Sequence, residues 1–419
     1  MKKLNVLFLV SLLVLFALTG FSKETIKVIS SDDFAAFRRE VIPEFEKLYP
    51  DIEVELTSVG YNQLYQKEVT SLIANPKAYD VIDVDCIWTP EFVTLGLLEQ
   101  IDDRLTPEMK EEIIPSVMTI LQYGGKTYGL PMFDDVLFFY YNEKMLEEAG
   151  LSEPPTTYDE FVSFSKTIMD KGLAKYGSVW GWAQAEGLIC YYTQLIGAFG
   201  GKFFDENGYP AFNSGGGLEA LKWMVDSIYE YGVVDPSSIT SDDRALLHGV
   251  ANGDVPFGFD WSFAWTIFND PEQSTQVGNI KVGLCPTGKD GIVSNTSSGS
   301  MGFAITKQSE HKDAAWKFIS FLASKEMQKQ QAIDYGAMPV VESLYSDPEI
   351  LELHPEFGPM LSQLSYVTDR PSLVSYNEVS RILQIYIQRA LTKDMEPKEA
   401  LDAAAKEIVD LLKEYGEIN

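Results

Sequence analysis

The strongest constraint on the fold is an alternation of strand-like and helix-like segments that begins just after an N-terminal apolar run. Lys27–Ser30 reads as a short strand, and the stretch from Phe34 to Tyr49 repeats apolar residues at helical spacing until Pro50 stops it. Ile52–Val59 alternates as a strand and Tyr61–Ala74 returns to helical spacing. Tyr79–Val84 then reads as a buried strand running into Asp85-Cys86-Ile87-Trp88. Because parallel strands need crossover helices between them, this order implies an α/β fold with mostly parallel sheets. Ligands are then expected at the carboxyl ends of the strands.

Further along, Gly129-Leu130-Pro131 interrupts the pattern, and Asp134-Asp135 precedes an apolar-aromatic strand, Val136–Tyr141. A crossing between domains is placed near Pro131–Asp135. A helix from Glu143 to Ala149 ends at Gly150, and Thr157 caps the next. The stretch from Gly177 to Gly201 is the most aromatic of the chain, with Trp180, Trp182, Tyr191, Tyr192 and Phe199. A helix over Ala245–Asn252 ends at Gly253, and the strand Val255–Phe259 leads into Asp260-Trp261. Ser294–Ser300 reads as a polar segment too loose to be a core element, ahead of a strand at Gly302–Thr306. From His311 the chain is mainly helical, through Ala314–Leu322, Glu326–Asp334, Tyr376–Leu391 and Pro397–Tyr415.

At the N-terminus, Lys2 and Lys3, the apolar run Val6–Phe16 and the small residues Ala17, Thr19 and Gly20 follow the order of a signal peptide, assigned to residues 1–22. A buried helix is the competing reading, opposed by the flanking lysines and the lack of a polar face. Phe21 stands where a lipoprotein signal has cysteine, so release into the periplasm without a lipid anchor is expected. The remainder suits two domains at roughly 100–200 residues each. A formal net charge of −29 argues against nucleic acid and anionic membranes, both of which call for basic patches. Cys86, Cys190 and Cys285 are far apart and odd in number, and read as small buried hydrophobes. The histidines, His248, His311 and His354, are isolated in sequence, and no metal, cofactor or catalytic group is expected.

Sugars are held by two devices used together: aromatic rings against C–H faces, and Asp, Glu, Asn, Gln or Arg on the hydroxyls. Polar residues beside aromatics recur here where predicted strands end, at Ser31-Asp32, Asp85 with Trp88, Asp134-Asp135, and Asp260-Trp261. For any single pair, a capping or turn Asp and a core Trp explain the residues equally well. Four at strand ends are harder to assign that way.

Several segments then match a known series in order. They include Tyr79-Asp80-Val81-Ile82-Asp83-Val84-Asp85, Tyr128-Gly129-Leu130-Pro131, Tyr140-Tyr141-Asn142-Glu143-Lys144, Pro154-Pro155-Thr156-Thr157-Tyr158-Asp159-Glu160-Phe161, Ala314-Ala315-Trp316-Lys317-Phe318-Ile319 and Gly336-Ala337-Met338-Pro339. From about Lys27 to its end the chain resembles the family 1 extracellular solute-binding proteins of ABC transporters. The resemblance implies a two-lobed periplasmic-binding-protein fold, each lobe a mostly parallel sheet flanked by helices, with the ligand in a cleft between lobes that close by hinge motion. The N-terminal lobe is expected over residues 23–131 plus about 301–337, and the C-terminal lobe over 132–300 plus about 338–419.

Carried onto this chain, the cleft residues implied are Ser31, Asp32, Asp85, Trp88, Asp134, Asp135, Asp260, Trp261 and the loop Ser298, Gly299, Ser300. Trp182 and Tyr191 fall where stacking aromatics are often placed, and Arg370 and Tyr376 lie in a late segment that often reaches the cleft. Arg370 can bind a carboxylate through its fork, and a salt bridge to one of the chain's own carboxylates is an equal reading. The expected function is capture of a mono- or oligosaccharide or polyol by a monomer that docks on ABC permease subunits, with no catalysis. A cationic ligand such as a polyamine is the alternative, since Asp and Trp also suit ion pairing and cation–π contact. A glycoside hydrolase is opposed by the adjacency of Asp134 and Asp135. Neighbours on a strand face opposite ways, whereas hydrolysis needs two carboxyls across one bond.

Overall fold

The computed structural model describes residues 23–419, so the expected signal peptide lies outside the described residues. The chain divides into two units. One holds the described residues up to Ile82 with Gln308–Phe321, and the other holds Asp83–Lys307 with Leu322–Asn419.

In the first unit the order is β1 (Glu24–Ser31), α1 (Asp32–Leu48), β2 (Ile52–Val59), α2 (Tyr61–Ala74) and the start of β3 (Val81–Asp85). The pairing of β1 with β2 is parallel from Glu24↔Ile52 to Ser31↔Val59, and β1 is also parallel to β3 at Val28↔Val81 and Ile29↔Ile82. Such neighbours can be joined only by crossovers, which α1 and α2 supply. Asp32 and Asp33 open α1, where carboxylates favour the positive helix end, and its inner face buries Phe37, Val41 and Phe45. The Phe45 ring meets Phe318 edge-on at 5.1 Å, which fastens the returning segment 308–321 to this helix.

Asp80 completes that attachment. Its carboxylate accepts Lys27 N at 2.8 Å on one oxygen and Ser309 Oγ at 2.6 Å on the other, with Asp80 and Ser309 buried.

In the second unit the order is β4 (Gly129–Phe133), β5 (Phe138–Asn142), α3 (Glu186–Ala198), α4 (Gly215–Tyr229), β6 (Phe257–Asp260), β7 (Ile280–Gly283), β8 (Thr296–Ser297), β9 (Met301–Ile305), β10 (Val367–Thr368), α5 (Tyr376–Leu391) and α6 (Pro397–Glu414), among shorter helices. Here the expectation of mostly parallel strands needs a correction. β5 lies between β6 and β7 and is antiparallel to both, and β4 is antiparallel to β9. The excursion between β5 and β6 contains several helices rather than one crossover. Alternation of elements does not set strand direction over such a connection.

α3 is apolar on nearly every side, and Leu188, Ile189, Tyr191, Tyr192, Leu195 and Ile196 are all buried, as a helix without a polar face must be. The aromatic stretch beside it is core: Trp180 stacks on Phe259 at 4.5 Å and meets Trp182 at 5.3 Å.

The segment 294–300 also departs from expectation, because most of it is buried. β8 pairs with β10 in parallel, Ser294 Oγ donates to Cys285 O at 2.9 Å, and Asn295 Nδ2 donates to Gln194 O at 2.8 Å. Side-chain hydrogen bonds let a polar sequence occupy the interior, and hydropathy alone does not show this. No described helix is long and apolar enough to cross a membrane.

Replacing Asp80 with Ala strands two donors, one of them a backbone N–H. The expected loss is about 1–3 kcal/mol of stability in urea unfolding, with Asp80→Asn losing less because it keeps one acceptor.

Candidate solute-binding cavity

The second unit holds a half-open cavity of about 1200 Å³, lined entirely by residues of that unit. Its walls come from the end of β3, the segment 111–120, the β4–β5 connection, the 298–300 turn, and the segments 342–346 and 361–372. Four of the expected site residues stand on it: Asp134, Ser298, Ser300 and Arg370.

Arg370 is the centre of the polar structure. Its side chain is 1% exposed, with Nη1 donating to Glu186 Oε1 at 2.8 Å and Nη2 to Asp85 Oδ1 at 3.2 Å and to Ser298 O at 3.3 Å. Glu186 opens α3, and it also accepts Tyr376 Oη at 2.5 Å and Ser380 Oγ at 2.5 Å, both from α5. Of the two sequence readings of Arg370, the geometry gives both at once. It lines the cavity, and its charge is taken up by two carboxylates of the chain, leaving Nε as the buried donor with no partner.

Asp134 and Asp135 lie in the connection between β4 and β5, outside both strands, and their side chains part. Asp134 lines the cavity and accepts Ser300 Oγ at 3.3 Å. Asp135 points away, with Oδ1 accepting the backbone N–H of Ser262 at 3.1 Å and of Val136 at 3.0 Å. Burial pushes the Asp134 carboxyl up to about 6. Burial likewise pushes Asp135 up to about 7, against the pull of the Ser262 and Val136 hydrogen bonds. Asp260, also buried, lies well above the usual carboxylate range through burial and the nearby charge of Asp243, and its Oδ2 has no partner.

The remaining expected residues are placed elsewhere. Ser31 and Asp32 belong to the first unit, where Ser31 Oγ donates to Asp33 at 3.1 Å and Asp32 is exposed in the first turn of α1. Asp85 is buried at the end of β3 behind Arg370, and Trp88 is buried with its ring 5.9 Å from Phe92. Trp182 is wholly enclosed in the core. Tyr191 is buried and bonds Asp243 through its hydroxyl at 3.0 Å, and Tyr376 is buried against Glu186. Trp261 is half-buried, and a Cβ on Gly299 would fall 2.2 Å from its ring, so this turn position has room only for glycine.

Sequence reasoning missed Tyr345, Asp369, Cys86 and Glu186. Cys86 was expected to be a buried hydrophobe and instead lines the cavity, with Sγ accepting Arg370 Nη2 at 3.3 Å. Asp369 adjoins Arg370 in sequence, which was a usable signal. Tyr345 lies in the short turn of helix Glu342–Ser346, where no pattern marks it, and its enclosed hydroxyl has no partner. Among the described residues no group of His, Cys, Asp and Glu is arranged to hold a metal.

The family model of the bacterial extracellular solute-binding proteins matches residues 29–329. The chain belongs to this family. The solute-binding protein is 27% identical over 84% of its length to a probable ABC transporter-binding protein of Deinococcus radiodurans, covering 83% of that relative. It is 24% identical to the mannitol-binding protein of Pseudomonas aeruginosa, over 94% of this chain and 93% of the other. Among solved structures, maltose-bound MalE3 of T. maritima superposes with a TM-score of 0.87 at 30% identity, over 93% of this chain and 100% of that one. A solute-binding protein of Thermotoga lettingae bound with α-D-tagatose gives 0.85 at 26%, over the same shares. The fold is therefore that of the MalE-type binding proteins, and the family's role is transport binding, not catalysis.

Two substitutions probe this solute-binding protein's polar structure. Arg370→Met leaves the buried Asp85 and the partly buried Glu186 without their cation, and should cost about 3–5 kcal/mol in chemical denaturation. Adding Glu186→Gln should recover part of that loss.

For Asp135 the sign follows from a folded value of about 7 against an ordinary carboxylate near ~3.9 unfolded. The unfolded chain releases this proton first, so the residue's contribution to stability falls as pH rises from about 4 through about 7. Asp135→Asn removes that fall. Its Tm relative to the unsubstituted protein should rise steadily between those pH values and level off above, as read by calorimetry.

Proposed function

We propose that this protein captures a carbohydrate, a mono- or oligosaccharide or polyol, and delivers it as a monomer to the membrane subunits of an ABC permease. The carrying observation is the cavity. At about 1200 Å³ it exceeds the ~300–1,000 Å³ of ordinary small-molecule sites, and Asp134, Ser298, Ser300 and Tyr345 line it with polar groups suited to hydroxyls. Relatives named for maltotriose and mannitol, and neighbours bound with maltose and tagatose, support the same class. In this reading the lobes expected from the sequence, 23–131 with 301–337 and 132–300 with 338–419, are the halves that close on the ligand. Export by cleavage of residues 1–22, without acylation at Phe21, is part of the same reading.

A second reading keeps the fold and takes a polyamine, and the acidic lining favours it. Thermal-shift screening of the exported chain separates the two, since a ligand that binds only the folded state raises Tm by mass action. A rise with sugars or polyols is expected, together with an unacylated N-terminus downstream of residue 22. A rise with spermidine alone overturns the carbohydrate reading.

A further inference from the structure

The charges around the cavity do not balance. Five of its lining residues are acidic and two are basic, Lys325 and Arg370. Arg370 is already bound by Asp85 and Glu186, and Lys325 is exposed. Asp134 thus faces the cavity with Ser300 Oγ as its hydrogen-bond donor among the described residues, and no protein cation reaches it. Tyr345 lines the same cavity, and its enclosed hydroxyl has neither donor nor acceptor.

A neutral sugar can donate to Asp134 but leaves the negative potential of the walls uncompensated. An ammonium group offers the missing charge and three donors at once, the complement of a carboxylate such as Asp134. A carboxylate ligand meets the reverse situation. Walls with an excess of negative charge repel it, and the fork of Arg370 is already engaged on Glu186 and Asp85.

We propose that the solute carries a protonated amine on a polyhydroxyl frame, as an amino sugar does, seated against Asp134 and Tyr345. This rests on the carbohydrate reading above. Hydroxyls of the same frame face the turn of Ser298 and Ser300, so the amine sets preference within the class while the polar turn holds the ring.

The test is calorimetric titration of the whole exported chain, at low salt and pH 7.5, with matched probes: D-glucosamine, D-glucose and D-glucuronate, and the free-amine disaccharide of glucosamine against cellobiose. In at least one series the amine member should bind about tenfold or more tighter than the neutral one, with the uronate weakest. Asp134→Asn should remove most of that advantage, lowering the ratio of amine to neutral affinity toward one, and Tyr345→Phe should act in the same direction. On the unsubstituted protein, about 0.5 M NaCl or a shift to pH 5 should weaken the amine selectively, because the first screens Asp134 and the second protonates it. A neutral member binding as tightly as its amine, or Asp134→Asn weakening both alike, overturns this inference and leaves the carbohydrate reading intact. Binding of spermidine with no sugar of either series bound overturns both.

Discussion

A guanidinium buried to 1% exposure has to be paid for by its surroundings, and much of the second unit is arranged to do so. Arg370 gathers the end of β3 through Asp85, the first turn of α3 through Glu186, and the 298–300 turn through the carbonyl of Ser298. Glu186 passes the connection on to α5 through Tyr376 and Ser380. Removing any one member leaves another charged or polar group enclosed without a partner, so the network stands or falls together. It also fixes where the cavity has charge to offer, because the cation at its edge is internally neutralised and the carboxylate of Asp134 is not.

How far the sequence foretells this structure depends on the range of the interaction involved. β2, α2, the helix Glu143–Ala149 and α5 fall on the residues that periodicity and capping chemistry pick out, since Pro50, Gly150 and the apolar spacing act locally. The antiparallel direction of β6 and β7 against β5 was not legible, because it is settled by how a long helical excursion returns. The buried character of 294–298 was hidden for a different reason. Its hydroxyls and amide look solvent-bound until their partners on Leu137, Gln194, Cys285 and Gln363 are known.

The cavity shows the same division. Asp134 was marked by a strand end, while the 298–300 turn and Arg370 were marked only by the family resemblance. Their lining of one space emerges only in three dimensions. Trp182 and Tyr191 were singled out as rings, yet the physics that makes a ring good for stacking on a sugar also makes it good core, and Trp180, Phe259 and the apolar body of α3 claimed them. Tyr345 gave no local signal, because it is defined by the company it keeps in space.

The hydrogen-bonded polar segment beneath the cavity divides its wall into two materials. Residues 294–300 cannot slide by one position without breaking bonds to several separate parts of the chain, and the Gly299 backbone is wedged beneath the Trp261 ring. Across the space, Glu342, Ser343, Ser346, Leu361 and Ser365 stand exposed on short helices and turns, with few obligations to the interior. One side therefore behaves as a fixed template and the other as an editable margin. Evolutionary drift, or a designer seeking a new cargo, has latitude at the margin without disturbing the template.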